Sequence, residues 1–143
     1  MERAVLLRAD VCESFAAGMR VKTGPRELFE GAVVVDVRRH GKQIAILAND
    51  GRAMCVHLGM TGHLAFVPAS RSDNSKPHTH VRWELTVAGK SRAAPGKMVF
   101  TDPRRFGGVW TFQSFSELMD ARWDQLGPDA LTIESDHLIG RFK

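Results

Sequence analysis

The amino-acid sequence predicts a mainly β protein, an antiparallel β-sandwich of about eight strands with one or two helices. Short apolar runs recur along the chain between turn-forming residues. Residues 80–87 alternate apolar and polar side chains, which is typical of a half-buried strand. Asn49-Asp50-Gly51 separates two of the runs and favours a hairpin turn, because these residues tolerate positive φ. The length of 143 residues fits a single domain spanning 1–143.

The predicted strands are runs of four to eight mostly apolar residues. In chain order they cover 4–7, 32–37, 43–48, 53–58, 63–67, 80–87, 98–102 and 108–112. Two polar segments, 68–79 and 88–97, are predicted to be exposed loops because they are rich in small and turn-forming residues.

One helix is predicted after the last strand. Ser114 and Glu117 have the spacing of a capping box, which satisfies backbone N–H groups at a helix start. The apolar face of this helix would carry Phe115, Leu118, Met119 and Trp123. Gly127-Pro128 should end it, and a second helix start is indicated at Ser135-Asp136.

Composition excludes some classes of protein. No apolar run reaches the roughly eighteen residues of a membrane helix, and the first residues do not form a signal peptide, so we expect a cytoplasmic protein with no membrane partner. Cys12 and Cys55 favour two reduced thiols, with a disulfide as the alternative, and no CxxC pair indicates a zinc finger. The net charge of +4 only slightly favours an anionic partner such as nucleic acid.

The segment HLGMTG, from His57 to Gly62, places a methionine between two glycines at the end of a predicted strand. Glycine permits sharp turns and the close approach of another backbone. Met60 would therefore project from a tight turn and fill a gap in a partner as an apolar wedge. The alternative is that Met60 fills the protein's own core.

The segment TDPRRFGG, residues 101–108, places two cations and an aromatic ring on a loop that proline stiffens. Arg104 and Phe106 should point the same way, and such a pair suits hydrogen bonding to a base edge and wedging between bases. Arg105 would point the other way and hold Asp102 or a phosphate. The alternative is a surface Asp–Arg pair with Phe106 in the core.

Two further segments carry cations or histidines. RRHGK, residues 38–42, is either a solvated basic turn or a row of phosphate contacts that would each displace a counterion. His78 and His80 form an HxH pair, which on a strand would place two imidazoles on one face. The spacing indicates no third ligand. We therefore predict no metal site and assign these histidines to phosphate contact or to solvent.

Taken in order, RRHGK, HLGMTG, HTHV, TDPRRFG and LGPDAL resemble the N-terminal β-sandwich domain of bacterial formamidopyrimidine-DNA glycosylases, over about Arg3 to Leu131. These enzymes of base-excision repair remove oxidised purines and are related to endonuclease VIII. The resemblance implies damaged double-stranded DNA as the partner, from which the damaged nucleotide is flipped out. Met60, Arg104 and Phe106 would fill the vacated space, with Arg104 facing the orphaned cytosine.

The resemblance also implies roles for four other residues. Lys42 would be a catalytic residue that assists phosphate-side chemistry and proton transfer during strand cleavage. His57 and His78 would contact the DNA backbone. Arg105 would be a further DNA-binding residue.

The chain departs from the family at both ends. Family members begin with Pro-Glu, whose proline amine is the nucleophile and whose glutamate is the acid, whereas this chain begins Met-Glu-Arg-Ala-Val. The family's helix–two-turn–helix segment and four-cysteine zinc finger are missing from the sequence, so we expect no cofactor in this chain. We expect a fragment of a glycosylase and abasic-site lyase that is inactive by itself. The alternatives are a non-catalytic damaged-DNA-binding module and a structural or protein-interaction module.

Overall fold

The computed structural model describes residues 4–11, 28–71, 77–87 and 96–132, and within them it contains eight β-strands. In chain order these are β1 (Ala4–Val11), β2 (Val34–His40), β3 (Gln43–Ala48), β4 (Ala53–His57), β5 (His63–Pro68), β6 (Thr79–Val87), β7 (Gly96–Thr101) and β8 (Gly108–Phe112). All pairs are antiparallel. The strands form two four-stranded sheets, ordered β1-β6-β7-β5 and β2-β3-β4-β8. The predicted antiparallel sandwich is confirmed.

Side chains from both sheets form one apolar core. The first sheet contributes Val81, Trp83 and Phe100, and the second contributes Met54, all of them fully buried. Trp83 Nε1 donates a hydrogen bond to the carbonyl oxygen of Leu28 at 3.1 Å, so the polar atom of this large ring is satisfied within the core.

Strand boundaries differ from the prediction by a few residues. β1 continues to Val11 instead of ending at residue 7, and its backbone pairs with β6 over this length. β7 begins at Gly96, inside the segment predicted to be a loop. The predicted hairpin turn is confirmed, because Gly51 has a φ of 90° and its N–H donates to the carbonyl oxygen of Ala48 at 3.1 Å. Cys12 and the helix start expected at Ser135-Asp136 lie outside the described residues.

The second sheet is covered on both faces, which explains why β3 and β4 are almost continuously apolar. Met54 faces the core between the sheets, whereas Ala53 and Cys55 face a separate cluster with Leu118 and Trp123. Small side chains on this outer face leave room for the indole ring.

Cys55 is a free, buried thiol, as predicted for this cysteine. Its Sγ donates to Gln43 Oε1 at 3.2 Å. Burial raises the pKa of Cys55 to about 11, so the thiol stays protonated and packs as a small apolar group.

The predicted helix is short and changes its geometry along its length. α1 (Phe115–Leu118) begins after Ser114, whose Oγ accepts a hydrogen bond from the N–H of Glu117 at 3.1 Å. Glu117 Oε2 accepts from the N–H of Gln113 at 2.8 Å, one residue earlier than in a standard capping box. A π-helical turn, Met119–Trp123, follows. The predicted apolar face of Phe115, Leu118, Met119 and Trp123 is confirmed, and it packs on the second sheet. No helix in the described ranges is both long and apolar enough to cross a membrane.

Candidate nucleic-acid interface

Two loops lie side by side where the chain passes between the sheets. Leu58–Gly62 connects β4 to β5, and Asp102–Gly107 connects β7 to β8; we call them the wedge loops. A Cβ atom on Gly59 would lie 2.7 Å from the Gly107 nitrogen and 2.8 Å from the carbonyl carbon of Phe106. Gly59 also has a φ of 62°, so glycine at this position permits both the turn and the close contact between the loops.

The wedge loops expose the side chains that the sequence singled out. Met60 is 67% exposed and Phe106 is 54% exposed. Arg104 Cζ lies 4.8 Å from the centroid of the Phe106 ring, which is within the range of a cation–π contact. The prediction that Arg104 and Phe106 share a direction is confirmed. The alternatives that placed Met60 or Phe106 in the core are wrong.

Asp102 is fully buried, and its carboxylate accepts hydrogen bonds from both wedge loops. Thr61 Oγ1 donates to Asp102 Oδ1 at 2.6 Å, across the two loops. The backbone N–H groups of Arg104 and Gly107 donate to Oδ1 at 3.3 Å and to Oδ2 at 2.7 Å. Burial opposes ionisation, but these hydrogen bonds outweigh it and hold the pKa of Asp102 below its ordinary value of 3.8. The carboxylate is therefore ionised at neutral pH.

The expected pairing of the Arg105 side chain with Asp102 is wrong, because the carboxylate already accepts from Thr61 and from backbone groups. Arg105 contacts Asp102 through the backbone alone, because the N–H of Arg105 donates to the carbonyl oxygen of Asp102 at 3.3 Å. Among the residues that the structure describes, neither Arg104 nor Arg105 forms an ion pair, and both are exposed. Both guanidinium groups are thus accessible to an anionic partner, and phosphate contact remains the role predicted for Arg105.

His78 and His80 do not share a face, contrary to the prediction from their spacing. His78 precedes β6, is exposed and has a φ of 67°, whereas His80 is fully buried. His80 Nε2–H donates to the carbonyl oxygen of Asp102 at 2.8 Å, and the N–H of Asp102 donates to the carbonyl oxygen of His78 at 3.1 Å. The HxH segment therefore supports the second wedge loop. Within the described ranges, no group of three His, Cys, Asp or Glu residues is placed to hold a metal ion.

The segment 38–42, which we call the basic turn, is largely neutralised by carboxylates. Arg38 Nε lies 2.8 Å from Asp36 Oδ2, and Arg39 Nη2 lies 2.9 Å from Asp129 Oδ2. The N–H of Gly41 donates to the same Asp129 oxygen at 3.0 Å. The carboxylate of Asp129 thus fixes the conformation of the turn and offsets one of its charges, so the segment is not a simple row of accessible cations.

Lys42 connects the basic turn to the first wedge loop. It is exposed and has no ion pair within the part of the chain that the structure describes. Its carbonyl oxygen accepts a hydrogen bond from the N–H of Leu58 at 3.0 Å, directly after His57. Burial lowers the pKa of His57, and the positive charges of Arg122 and Lys42 lower it further. His57 is therefore neutral at pH 7 and can act as a hydrogen-bonding group without adding charge.

Several supporting residues were missed at the level of sequence. Arg122 Cζ lies 4.0 Å from the centroid of the Trp110 ring, and its Nε donates to Gln43 Oε1 at 3.4 Å. No local pattern indicated this contact, since Arg122 and Gln43 come from distant segments. A signal did exist for Asp102, because aspartate before a turn commonly accepts hydrogen bonds from backbone N–H groups just after it.

A family model described as the formamidopyrimidine-DNA glycosylase N-terminal domain matches residues 5–109, which include both wedge loops. The chain belongs to this family. The glycosylase of Roseobacter denitrificans is 31% identical over an alignment of 157 positions, which covers 100% of this chain and 50% of that protein. The glycosylase of Shewanella halifaxensis is 37% identical over 102 residues, which cover 71% of this chain and 34% of that protein. The chain thus spans a third to a half of the length of these relatives.

Solved structures of the same class share the fold. MutM in complex with DNA containing carbocyclic 8-oxo-G matches with a TM-score of 0.65 at 17% identity, covering 85% of this chain and 41% of that one. The Lactococcus lactis enzyme in complex with Fapy-dG-containing DNA matches with a TM-score of 0.64 at 19% identity, covering 83% of this chain and 40% of that one. At such identities the likeness concerns the fold of the sandwich.

Proposed function

We propose that this chain is the part of a base-excision-repair glycosylase that binds duplex DNA at a damaged base and fills the gap left when the nucleotide is flipped out. The observation that carries the proposal is the arrangement of Met60, Arg104 and Phe106 on two loops in direct contact. Apolar side chains grouped on a surface are typical of an interaction site, and Arg104, which has no acidic partner among the described residues, is available to bind an anion or a base edge. Family membership, and the DNA complexes formed by the structural relatives, support DNA as that ligand.

The chemistry of each side chain fits a vacated position in a base stack. Met60 supplies a flexible apolar chain, and Phe106 supplies a flat ring that can stack on or wedge between bases. Arg104 presents planar N–H donors that can bond the edge of the unpaired base, which we propose is cytosine. Flipping a nucleotide costs a few kcal/mol, and these contacts would offset part of that cost.

Cations around the wedge loops would contact phosphates. Lys42 is exposed beside the first wedge loop, and Arg105 is exposed on the second. We assign His57 and His78 to the DNA backbone as hydrogen-bonding groups and Lys42 to the phosphate side of strand cleavage. Each phosphate neutralised by a cation releases counterions, so binding should weaken steeply with salt.

The test is binding of the 143-residue chain to a short duplex with an abasic analogue opposite cytosine, compared with the same duplex undamaged, across a salt series. We expect tighter binding to the abasic duplex. An Arg104→Ala, Phe106→Ala double variant should reduce this preference by about fivefold or more, since a stacked base contact contributes about 1–3 kcal/mol.

Phe66→Ala is the matched control, because Phe66 is also an exposed aromatic residue, at 56%, but lies on β5 outside the wedge loops. It should leave the preference unchanged. Equal affinity for both duplexes, with a salt slope of about −0.9 per neutralised phosphate, would contradict gap filling and indicate phosphate contact alone.

Chemistry and binding can be separated in one further measurement. Borohydride trapping on abasic duplex detects a covalent adduct only if the chain itself carries out lyase chemistry. An intact preference for the abasic duplex without an adduct is expected both for an inactive fragment and for a non-catalytic damaged-DNA-binding module, whereas an adduct would contradict both.

A further inference from the structure

We propose that Asp102 and Thr61 are positioning residues that join the two wedge loops, so that Met60, Arg104 and Phe106 engage DNA as one unit, a role that depends on the proposed binding of damaged DNA. Met60 lies on the first loop, and Arg104 and Phe106 lie on the second. The two loops are distant in sequence, with 41 positions between Thr61 and Asp102, so the connecting chain does not hold them side by side. Their relative position must come from contacts between them.

The contacts converge on a single carboxylate. Thr61 Oγ1, from the first loop, donates to Asp102 Oδ1 at 2.6 Å. The N–H groups of Arg104 and Gly107, on either side of Arg105 and Phe106, donate to the same carboxylate at 3.3 Å and 2.7 Å. Thr61 directly follows Met60 in the sequence. A displacement of either loop would therefore disturb a hydrogen bond beside a wedge side chain.

Backbone packing supports the same connection independently of side chains. The backbone of Gly59 contacts Gly107 and Phe106 so closely that a Cβ there would lie 2.7 Å and 2.8 Å from their backbone atoms. A Cβ on Gly107 would in turn lie 2.4 Å from the carbonyl oxygen of His57 and 3.2 Å from Asp102 Oδ2. Both loops thus have glycine where they face each other, which permits the close approach that brings Thr61 within hydrogen-bonding distance of Asp102.

Because the donors to Asp102 are uncharged, the positive charges of Arg104 and Arg105 remain available to a ligand. Asp102 is ringed by a hydroxyl and by backbone N–H groups, and the side chains of Arg104 and Arg105 point away into solvent. A buried carboxylate bonded to uncharged donors organises the loop without forming ion pairs with these arginines. A wedge held ready in this way loses less conformational entropy on binding than two loops that must be ordered by DNA.

The test compares Thr61→Val, which removes the hydroxyl donor, with the conservative Thr61→Ser and with Thr132→Val as a matched control. Thr132 is exposed, and its hydroxyl bonds the carbonyl oxygen of Asp129, in a different loop. We expect Thr61→Val to lower the preference for abasic over undamaged duplex by about fivefold, since it loosens the stacking groups. Thr61→Ser should restore the preference, and Thr132→Val should not change it.

A double-variant cycle distinguishes positioning from general destabilisation. In the wild-type background, the effects of Met60→Ala and Phe106→Ala on lesion preference should be non-additive by about threefold or more, whereas with Thr61→Val they should become additive. A merely structural role would lower the melting temperature and weaken binding to both duplexes equally. An unchanged preference and unchanged non-additivity in Thr61→Val would overturn the proposal while leaving the proposed function intact.

Amide hydrogen exchange in the protein without DNA provides a readout that is independent of the proposed function. If the carboxylate joins the loops, Thr61→Val should raise the exchange rate of the Gly107 N–H by about tenfold, as expected when a local opening becomes easier. If the wild-type chain shows no preference for the abasic duplex, the proposed function fails, and the exchange rate of the Gly107 N–H alone tests whether Asp102 and Thr61 join the loops. A raised rate then supports the joining of the loops, and an unchanged rate overturns it.

Discussion

Asp102 holds the wedge loops, and Asp129 holds the basic turn. Asp102 accepts hydrogen bonds from Thr61 and from two backbone N–H groups, and it is fully buried. Asp129 accepts from the N–H of Gly41 and also pairs with the guanidinium group of Arg39 at 2.9 Å. The first carboxylate organises its loop without an arginine partner, whereas the second neutralises one of the cations that it positions.

This difference shows that the number of basic residues in a segment does not measure its affinity for anions. The basic turn has four cationic or titratable residues in five, and the second wedge loop has two arginines. In the structure, the arginines of the basic turn are paired and those of the wedge loop face solvent. An arginine is therefore available to a phosphate or a base only when the nearby carboxylates accept their hydrogen bonds from other groups.

The largest expected effect is on stability. Asp102→Ala removes the acceptor of three hydrogen bonds, all of them part-buried, at once, which should lower the free energy of unfolding by about 3 kcal/mol. Urea denaturation followed by tryptophan fluorescence measures this. Asp129→Ala should cost clearly less, because its donors can turn to water. Equal losses of unfolding free energy in Asp102→Ala and Asp129→Ala would show that the two carboxylates stabilise the fold to the same extent.

Acid should weaken the Asp102 contacts in a predictable direction. The pKa of Asp102 is lowered in the folded state from 3.8, so the unfolded state takes up the proton first as pH falls. The stabilising contribution is therefore present above the ordinary pKa and is lost as pH falls through the folded value. The difference in unfolding free energy between wild type and Asp102→Asn should therefore become smaller as pH falls below about 5, because only the wild-type protein has a carboxylate to protonate. A difference that stays constant with pH would contradict the assignment.

Salt dependence should distinguish Lys42 from Arg39. Lys42→Ala should lower the slope of log affinity against log salt by about 0.9, the value for one phosphate contact on duplex DNA. Arg39→Ala should leave the slope nearly unchanged, because its guanidinium group is already paired with Asp129. Titrations of an undamaged duplex at several salt concentrations measure both. A larger change for Arg39→Ala would show that the Asp129 pair opens on binding.

The smallest expected effect is on the salt dependence of DNA binding by Asp129→Asn. Asp129→Asn removes the carboxylate charge but keeps an oxygen to accept from the N–H of Gly41. Arg39 should then gain access to phosphate, so the salt slope should increase by less than about 0.9. The same titration with an Asp129→Asn, Arg39→Ala double variant is the control, and it should return the slope to the wild-type value. A slope that stays raised in the double variant would assign the effect to another residue.

The fold was largely predictable because its signals are local. Each strand is a short apolar run between turn residues, and the alternation in 80–87 reappears as buried Val81 and Trp83 in β6. The capping residues Ser114 and Glu117 were also identified, but the π-helical turn that follows them was not. Propensity and capping describe where a helix starts, whereas packing on the second sheet determines how its later turns are wound.

The exposed members of the candidate site were predictable, and their supports were not. Glycines around Met60 and proline before Arg104 indicated rigid turns, and the structure has Met60 and Phe106 exposed on such turns. The pairing of the Arg105 side chain with Asp102 was wrong, and the prediction that His78 and His80 share one face was wrong as well. In both cases alternation along an extended strand was assumed, whereas Arg105 and His78 have positive φ values of 57° and 67°.

The class of the fold, the positions of the strands along the chain and the residues exposed on the turns follow from local sequence patterns. They depend on neighbours within a few positions, through hydrophobic periodicity and turn chemistry. The accessibility of each cation and the contact between the two wedge loops follow from the folded arrangement. Those properties depend on contacts between distant segments, such as Thr61 with Asp102 and Arg39 with Asp129, which form only when the chain has folded.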